Sequence, residues 1–196
     1  RLTRLVNDVL DLSRLESGKI IQLEPMDIKI AIEQTLRNYR LNAIEKNVSL
    51  AHDIEENIPP ILGNFDLLLQ VFDNLLGNGL KFSPKNSNLI IRAYTWPDSC
   101  PAFPPNNNND GAPQCELISP LPKVRIEITD TGSGISQADQ EKIFDRFYRV
   151  ENAVHTEQGT GLGLSIVRGI IEKHGGEIRM ASELGVGTTF WFDLAL

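Results

Sequence analysis

Cysteine is almost missing from this chain. Only Cys100 and Cys115 occur, both in a stretch rich in proline and asparagine, so neither a disulfide framework nor a four-ligand zinc site is available. A reducing, cytosolic setting is expected. Basic charge is also scarce: Lys and Arg number 19 against 26 Asp and Glu, a net charge of -7. That balance leaves no electrostatic footprint for nucleic acid, and no such partner is expected. No run approaches the 18 or so apolar residues of a membrane span, and the N-terminus lacks a signal-peptide pattern, so no direct membrane contact is expected. The first residue, Arg1, is not a translation start, so a longer parent protein is expected. What is present, 41% hydrophobic and 23% charged residues over 196 positions, suits one buried core with an appendage.

Residues 1 to 17 carry Leu2, Leu5, Val9, Leu12 and Leu15 at steps of three and four, which predicts a one-striped helix closed by Gly18. An isolated helix of that length is marginal in water, so it needs a partner. Either it docks on its own domain or it is the second helix of a dimeric helical hairpin. Beyond it, a short apolar strand is expected to end at Pro25. Asp27 is expected to cap a helix bearing Ile28, Ala31, Ile32, Thr35, Leu36, Tyr39 and Ala43 on one side. Strands are predicted at 48–54, 89–96, 124–129, 178–182 and 188–194, and helices at 65–82, from Ser136 through Phe144, and at 161–174. The span 97–122 holds most of the chain's 11 prolines and the run Asn106 to Asn109, and reads as a flexible insertion. Helices and strands do not alternate strictly, so a mixed sheet covered by helices on one face, an α+β two-layer sandwich, is predicted.

Candidate chemistry begins on the helix at 65–82. At 100° per residue, Asn74, Asn78 and Lys81 share one narrow face opposite Leu68, Leu69, Phe72, Leu75, Leu76 and Leu80. A side-chain amide oxygen is a hard neutral ligand suited to magnesium, and a lysine one turn later can meet phosphate charge. Alone, this face reads as solvated surface. Alternation in Val124–Asp130 turns Asp130 inward, where a carboxylate is costly unless it is bonded; it either caps the Asp-x-Gly turn or receives an exocyclic adenine amine. Gly132 and Gly134 would let the backbone approach a flat ligand. The turn Gly159-Thr160-Gly161-Leu162-Gly163 opens a helix and would offer bare amides to an anion, although its spacing is neither a P-loop nor a dinucleotide fingerprint. Arg149, ahead of a polar stretch, is either a surface arginine or a phosphate clamp on a closing loop.

Taken in order, the asparagine box (Asn74 to Ser83), Asp130-Thr131-Gly132-Ser133-Gly134, Phe144-Asp145-Arg146-Phe147-Tyr148-Arg149, Gly159 to Leu164 and Gly187-Thr188-Thr189-Phe190 resemble the ATP-binding catalytic domain of sensor histidine kinases. The resemblance runs from about residue 27 to the end. Residues 1–18 are similar to the second helix of that family's dimerisation and phosphotransfer hairpin, leaving 19–196 as the catalytic domain with 149–160 as its lid. The stretches 149–156 and 188–192 are similar to stress-response sensor kinases of cyanobacteria and plastids.

The resemblance implies a Bergerat-type histidine-kinase ATPase fold, ATP with Mg2+, and transfer of the γ-phosphoryl group to a histidine and then to a response-regulator aspartate. It assigns Mg2+ to Asn78, phosphate support to Asn74 and Lys81, and the adenine amine to Asp130 with Gly134 and Thr188. Gly159, Gly161 and Gly163 would line the phosphates, Arg149 would meet the γ-phosphate, and Arg149 and Lys81 would be the catalytic cations. Gly132, Ile135, Tyr148, Thr160, Leu162 and Leu164 complete the implied nucleotide site. Gly79 departs from the family's usual alanine, at about 1 kcal/mol of helix stability. His52 is followed by Asp53 but lies in a predicted strand without the basic and proline neighbours of the family's acceptor, His155 falls in the lid, and His174 ends a helix, so none matches that acceptor. That histidine is therefore expected upstream of Arg1, on a helix partnering residues 1–18 in a homodimer. Two other readings remain: an ATPase of the gyrase or chaperone type, which places a glutamate where Asn74 stands, and a non-catalytic nucleotide-binding scaffold.

Overall fold

The computed structural model describes residues 2–16, 20–96, 122–150 and 159–196, without the side chains of 2–4, 16 and 96. Cys100, Cys115, His155, all of the insertion but Pro122, and most of the predicted lid lie outside the described residues. Among the described residues, seven strands and five helices follow in the order α1 (Leu2–Glu16), β1 (Glu24–Met26), α2 (Ile28–Lys46), β2 (Ser49–Ile54), β3 (Ile61–Gly63), α3 (Phe65–Phe82), β4 (Asn88–Trp96), β5 (Lys123–Asp130), α4 (Gln137–Gln140), α5 (Gly163–Lys173), β6 (Ile178–Glu183) and β7 (Gly187–Ala195).

The main sheet runs β2-β4-β5-β7-β6, with β2 parallel to β4 and every other pair antiparallel. Period-two alternation buries Val124, Ile126, Ile128 and Asp130 of β5 while leaving the residues between them half-exposed. The inner face meets α2, α3 and α5, and Phe72 of α3 stacks obliquely on Phe192 of β7 at 6.4 Å. Burial of each such side chain contributes about 1.5–3 kcal/mol. The outer face is polar, and Arg125 forks onto Asp193 directly opposite at 2.7 and 2.9 Å. This is the mixed sheet with helices on one face that the sequence predicts.

Several local expectations are met residue by residue. Asp27 caps α2 by accepting from Lys29 N–H, and α3 spans the predicted 65–82. Others are corrected. Pro25 sits inside β1 instead of ending a strand, because β1 pairs only with β3 as a two-stranded ribbon and Pro25 need not donate to a central ladder. β3 itself, three residues after Pro59-Pro60, is too short for a periodic signal. The helix from Ser136 stops at Gln140, since the Ser136 hydroxyl donates to the Asp139 carboxylate at 2.6 Å instead of capping amides. The last helix begins at Gly163 instead of 161, because Gly161 adopts φ 74°.

His174 is buried where α5 ends, and it ties that end to the start of α3. Its Nε2 accepts from Asn64 N–H at 2.9 Å and its Nδ1 faces Ile170 O at 2.8 Å, which requires a neutral ring protonated on Nδ1. Burial, partly opposed by the Ile170 bond, holds its pKa below the usual 6.5. The unfolded chain therefore takes up the proton first, and His174 contributes stability above pH 6.5 that is lost as pH falls through the lower folded-state value. Urea midpoints measured between pH 7.5 and 5 should fall more steeply for the parent than for His174→Gln. Equal slopes would remove this role.

Candidate functional site

Helix α3 is the wall on which the site stands. Its apolar side, including Leu68, Phe72, Leu75, Leu76 and Leu80, is buried, and Asn74, Asn78 and Lys81 emerge half-exposed on the other. Its C-terminal end is held by Lys46 of α2, whose ammonium donates to Leu80 O at 2.7 Å and Lys81 O at 2.6 Å. A cation there also suits the negative end of the helix. Gly79 has a packing reason: a Cβ would lie 2.6 Å from Leu89 Cδ1 on β4.

The glycine turn comes up against this face. A Cβ on Gly163 would lie 2.7 Å from Asn74 Oδ1, and one on Gly159 would lie 3.3 Å from Lys81 Nζ. Asn74 Nδ2 donates to Gln70 O at 2.9 Å, which fixes the amide so that its oxygen points to the turn. The Asn78 side chain makes no hydrogen bond to another described residue. No side chain caps α5, so its first amides are left to an outside acceptor. Gly161 faces Phe147, whose N–H donates to Gly161 O at 2.9 Å while Phe147 itself holds φ 61°. Leu162 is fully buried and Leu164 packs against the core, so these two anchor the turn.

Asp130 closes the other end. It is only 8% exposed, its Oδ1 accepts from Gly132 N–H at 2.8 Å, and Thr188 N–H bonds it as well. Burial, opposed by these two bonds, raises its pKa above the ordinary carboxylate value. The turn-capping role is therefore real, and it leaves further lone pairs on the carboxylate. A Cβ on Gly132 would meet Asp130 Oδ1 at 2.6 Å and Phe82 O at 2.9 Å, which brings the end of α3 against this turn. Gly134 answers to the protein's own backbone: φ is 67° and a Cβ would lie 2.0 Å from Glu183 O.

Ser182 was invisible as a site residue in the sequence. Its hydroxyl accepts from Ile135 N–H at 2.8 Å, bonds Gly187 O at 2.9 Å and lies 2.9 Å from Thr188 Oγ1, locking Ile135 and Thr188 beside Asp130. Ser83, which ends the asparagine box, has the one buried side-chain polar atom without a partner among the described residues. Tyr148 is tied down, donating to Asp139 Oδ1 at 2.6 Å. Arg149 is exposed beside residues 151–158, which lie outside the described part. Thr160 donates to Asp8 of α1 at 2.7 Å. A cleft of about 580 Å³ lined by Leu12, Leu15, Phe144, Arg168 and Gly169 belongs to the α1–α5 seam, and neither Asp130 nor Asn78 lines it. No group of three His, Cys, Asp or Glu able to hold a metal occurs among the described residues, nor is any described helix long and apolar enough to cross a membrane.

The profile of the family described as histidine kinase-, DNA gyrase B-, and HSP90-like ATPase matches residues 63–196. The chain belongs to that family. The chain is 53% identical over all of its 196 residues to Drug sensory protein A of Synechocystis, covering 28% of that protein. It is equally 53% identical over 196 residues to the sensor-like histidine kinase ycf26 of Pyropia yezoensis, again covering 28%. The chain thus spans under a third of these relatives. Its fold matches full-length ShkA, solved in complex with AMPPNP, at TM-score 0.75 and 29% identity, covering 98% of this chain and 35% of that one. Within the family, the chain is therefore homologous to the catalytic ATP-binding domain of sensor histidine kinases, and the gyrase-like alternative is not favoured.

Because burial raises its pKa, ionised Asp130 costs this domain stability. Asp130→Asn should raise the thermal midpoint of the free protein at pH 7, and the gain should fade as pH falls through the raised folded-state pKa towards 3.8, where the carboxyl is neutral. A lowered midpoint at pH 7 would mean the two backbone bonds outweigh the burial.

Proposed function

We propose that this chain binds ATP with Mg2+ and is the catalytic part of a sensor kinase that phosphorylates a histidine outside it. The observation that carries this is the placing along one helix of a buried carboxylate, whose turn meets the end of α3 at Phe82, and of an uncapped helix N-terminus, whose glycine turn meets the α3 amide face at Asn74 and Lys81. Asp130 would take the adenine amine, supported by Gly132, Gly134, Ile135 and Thr188 with Ser182 behind them. The Ser83 hydroxyl, without a partner among the described residues, would be completed by water or purine. Asn74, Lys81 and the Gly159–Leu164 turn would hold the phosphates, with Tyr148 and Arg149 at the head of the lid over 149–160.

Asn78 would ligate Mg2+, a cation that takes one or two protein oxygens and shares the rest among phosphates and water. When bound, it neutralises charge on the phosphate oxygens. What supports the fit is the Asn78 side-chain oxygen, a hard neutral donor half-exposed on the α3 face that the glycine turn approaches. In the transfer, a histidine nitrogen forms a bond to the γ-phosphorus as the bond to the ADP oxygen breaks, and Lys81 and Arg149 would hold the charge developing on the phosphoryl oxygens. Asn74 cannot take a proton from water, and its amide is already committed to Gln70 and the turn, so hydrolysis should be slow.

Residues 1–18 would belong to a dimerisation hairpin, with the acceptor on its other helix in a homodimer. Exposed Leu5, Val6, Val9 and Leu10 on α1 fit that partner. A response-regulator receiver domain would take the phosphoryl group onward, in the cytoplasm or plastid stroma.

Calorimetric titration should show Mg-ATP binding that Asp130→Asn weakens roughly 10- to 100-fold, about 1.5–3 kcal/mol for a bond to a charged group. Equal affinities would remove the adenine assignment. With a hairpin bearing the missing histidine added, radiolabelled ATP should phosphorylate it, and Asn78→Ala should abolish transfer while keeping part of the nucleotide affinity. Unaltered transfer would remove the metal role.

A further inference from the structure

Helix α1 touches both walls of the site through one face. Asp8, Asp11, Leu12 and Leu15 fall at helical spacing, with Leu12 and Leu15 packed on the core and Leu15 lying 3.4 Å from where a Cβ on Gly169 would stand. Asp11 Oδ2 accepts from Gln70 Nε2 at 2.8 Å, and the Gln70 carbonyl is the acceptor that holds Asn74. Asp8 Oδ2 accepts from the Thr160 hydroxyl at 2.7 Å. A hydroxyl has one proton to give, and Thr160 stands between Gly159 and Gly161 in the turn assigned above to the phosphates. That proton is committed to a carboxylate on another element.

A phosphate oxygen at the turn would compete for the same proton and would also meet the Asp8 charge. Two groups of like sign at one donor repel, and both cannot be served. Among the described residues, α1 holds the domain through Leu12, Leu15 and the polar bonds of Asp8 and Asp11, and the seam leaves a cleft of about 580 Å³ unfilled. A 15-residue helix is near its limit of stability when alone.

Resting on the nucleotide reading above, we propose that α1 and the nucleotide's phosphates compete for Thr160, so that docking of α1 through Asp8 and binding of a triphosphate oppose one another. Linkage makes the effect reciprocal: whatever factor α1 docking takes from triphosphate affinity, the triphosphate takes from docking. Adenosine, which carries no phosphate, should be indifferent to α1.

The test uses the 196-residue chain and AMP-PNP with Mg2+ in calorimetry, with adenosine as the phosphate-free control. Asp8→Ala should bind AMP-PNP roughly 10- to 100-fold more tightly than the parent, as expected for loss of one charge-assisted bond, and adenosine equally. Asp8→Asn, which keeps an acceptor and loses the charge, should fall between. In hydrogen exchange, AMP-PNP should speed the amides of residues 5–15 in the parent, and adenosine should not. Equal AMP-PNP affinity in parent and Asp8→Ala, or slower α1 exchange on adding AMP-PNP, would overturn the competition alone. If neither AMP-PNP nor adenosine bound either protein, the nucleotide reading would fall and the competition with it.

Discussion

A carboxylate at the inner end of a central strand is the constraint around which this domain is arranged. Asp130 follows Val124, Ile126 and Ile128 on the buried face of β5, so the pleat that builds the core also delivers an acid into it. The fold answers with two backbone amides and leaves the pKa raised by burial. Unlike the Arg125–Asp193 pair on the outer face of the same sheet, which is matched with a fork of two short bonds, Asp130 meets no cation among the described residues. A sheet able to pair its charges so well leaves one in poor surroundings where a ligand can improve on them.

Helix α3 joins that strand end to the phosphate turn because it serves the core and the site together. Phe72, Leu75 and Leu76 set its rotation against the sheet, and the same rotation fixes where Asn74, Asn78 and Lys81 emerge. Lys46 and His174 hold its two ends from α2 and α5. Core packing and site geometry therefore cannot vary independently. Gly163 shows how close the margins are, since one methyl there would run into Asn74. α1 adds a further element, lying across this wall and the glycine turn through Asp11 and Asp8.

What could be read from the sequence was whatever rests on local periodicity or local chemistry. α3 was legible to its bounds because a long apolar stripe marks it, and Asp27 was legible as a cap because it stands just ahead of another such stripe. The inward turn of Asp130 followed from alternation alone. Contacts between distant segments were not legible: Ser182 bonding Ile135 and Thr188, Lys46 on the end of α3, and Thr160 on Asp8. The Ser136 pattern misled because its carboxylate was captured by the hydroxyls of Ser136 and Tyr148, the second from nine residues on. Gly134 was assigned to a ligand's approach when the strand turn at Glu183 already demands it. A sequence shows that a glycine is needed without showing what comes near it.

The most direct test of the account is a crystal structure of this domain with AMP-PNP and Mg2+. The account predicts the adenine amine within hydrogen-bonding distance of the Asp130 carboxylate, the phosphates along Gly159–Gly163, and the cation on Asn78 Oδ1. Nucleotide bound elsewhere, with Asp130 still answered only by Gly132 and Thr188, would contradict it.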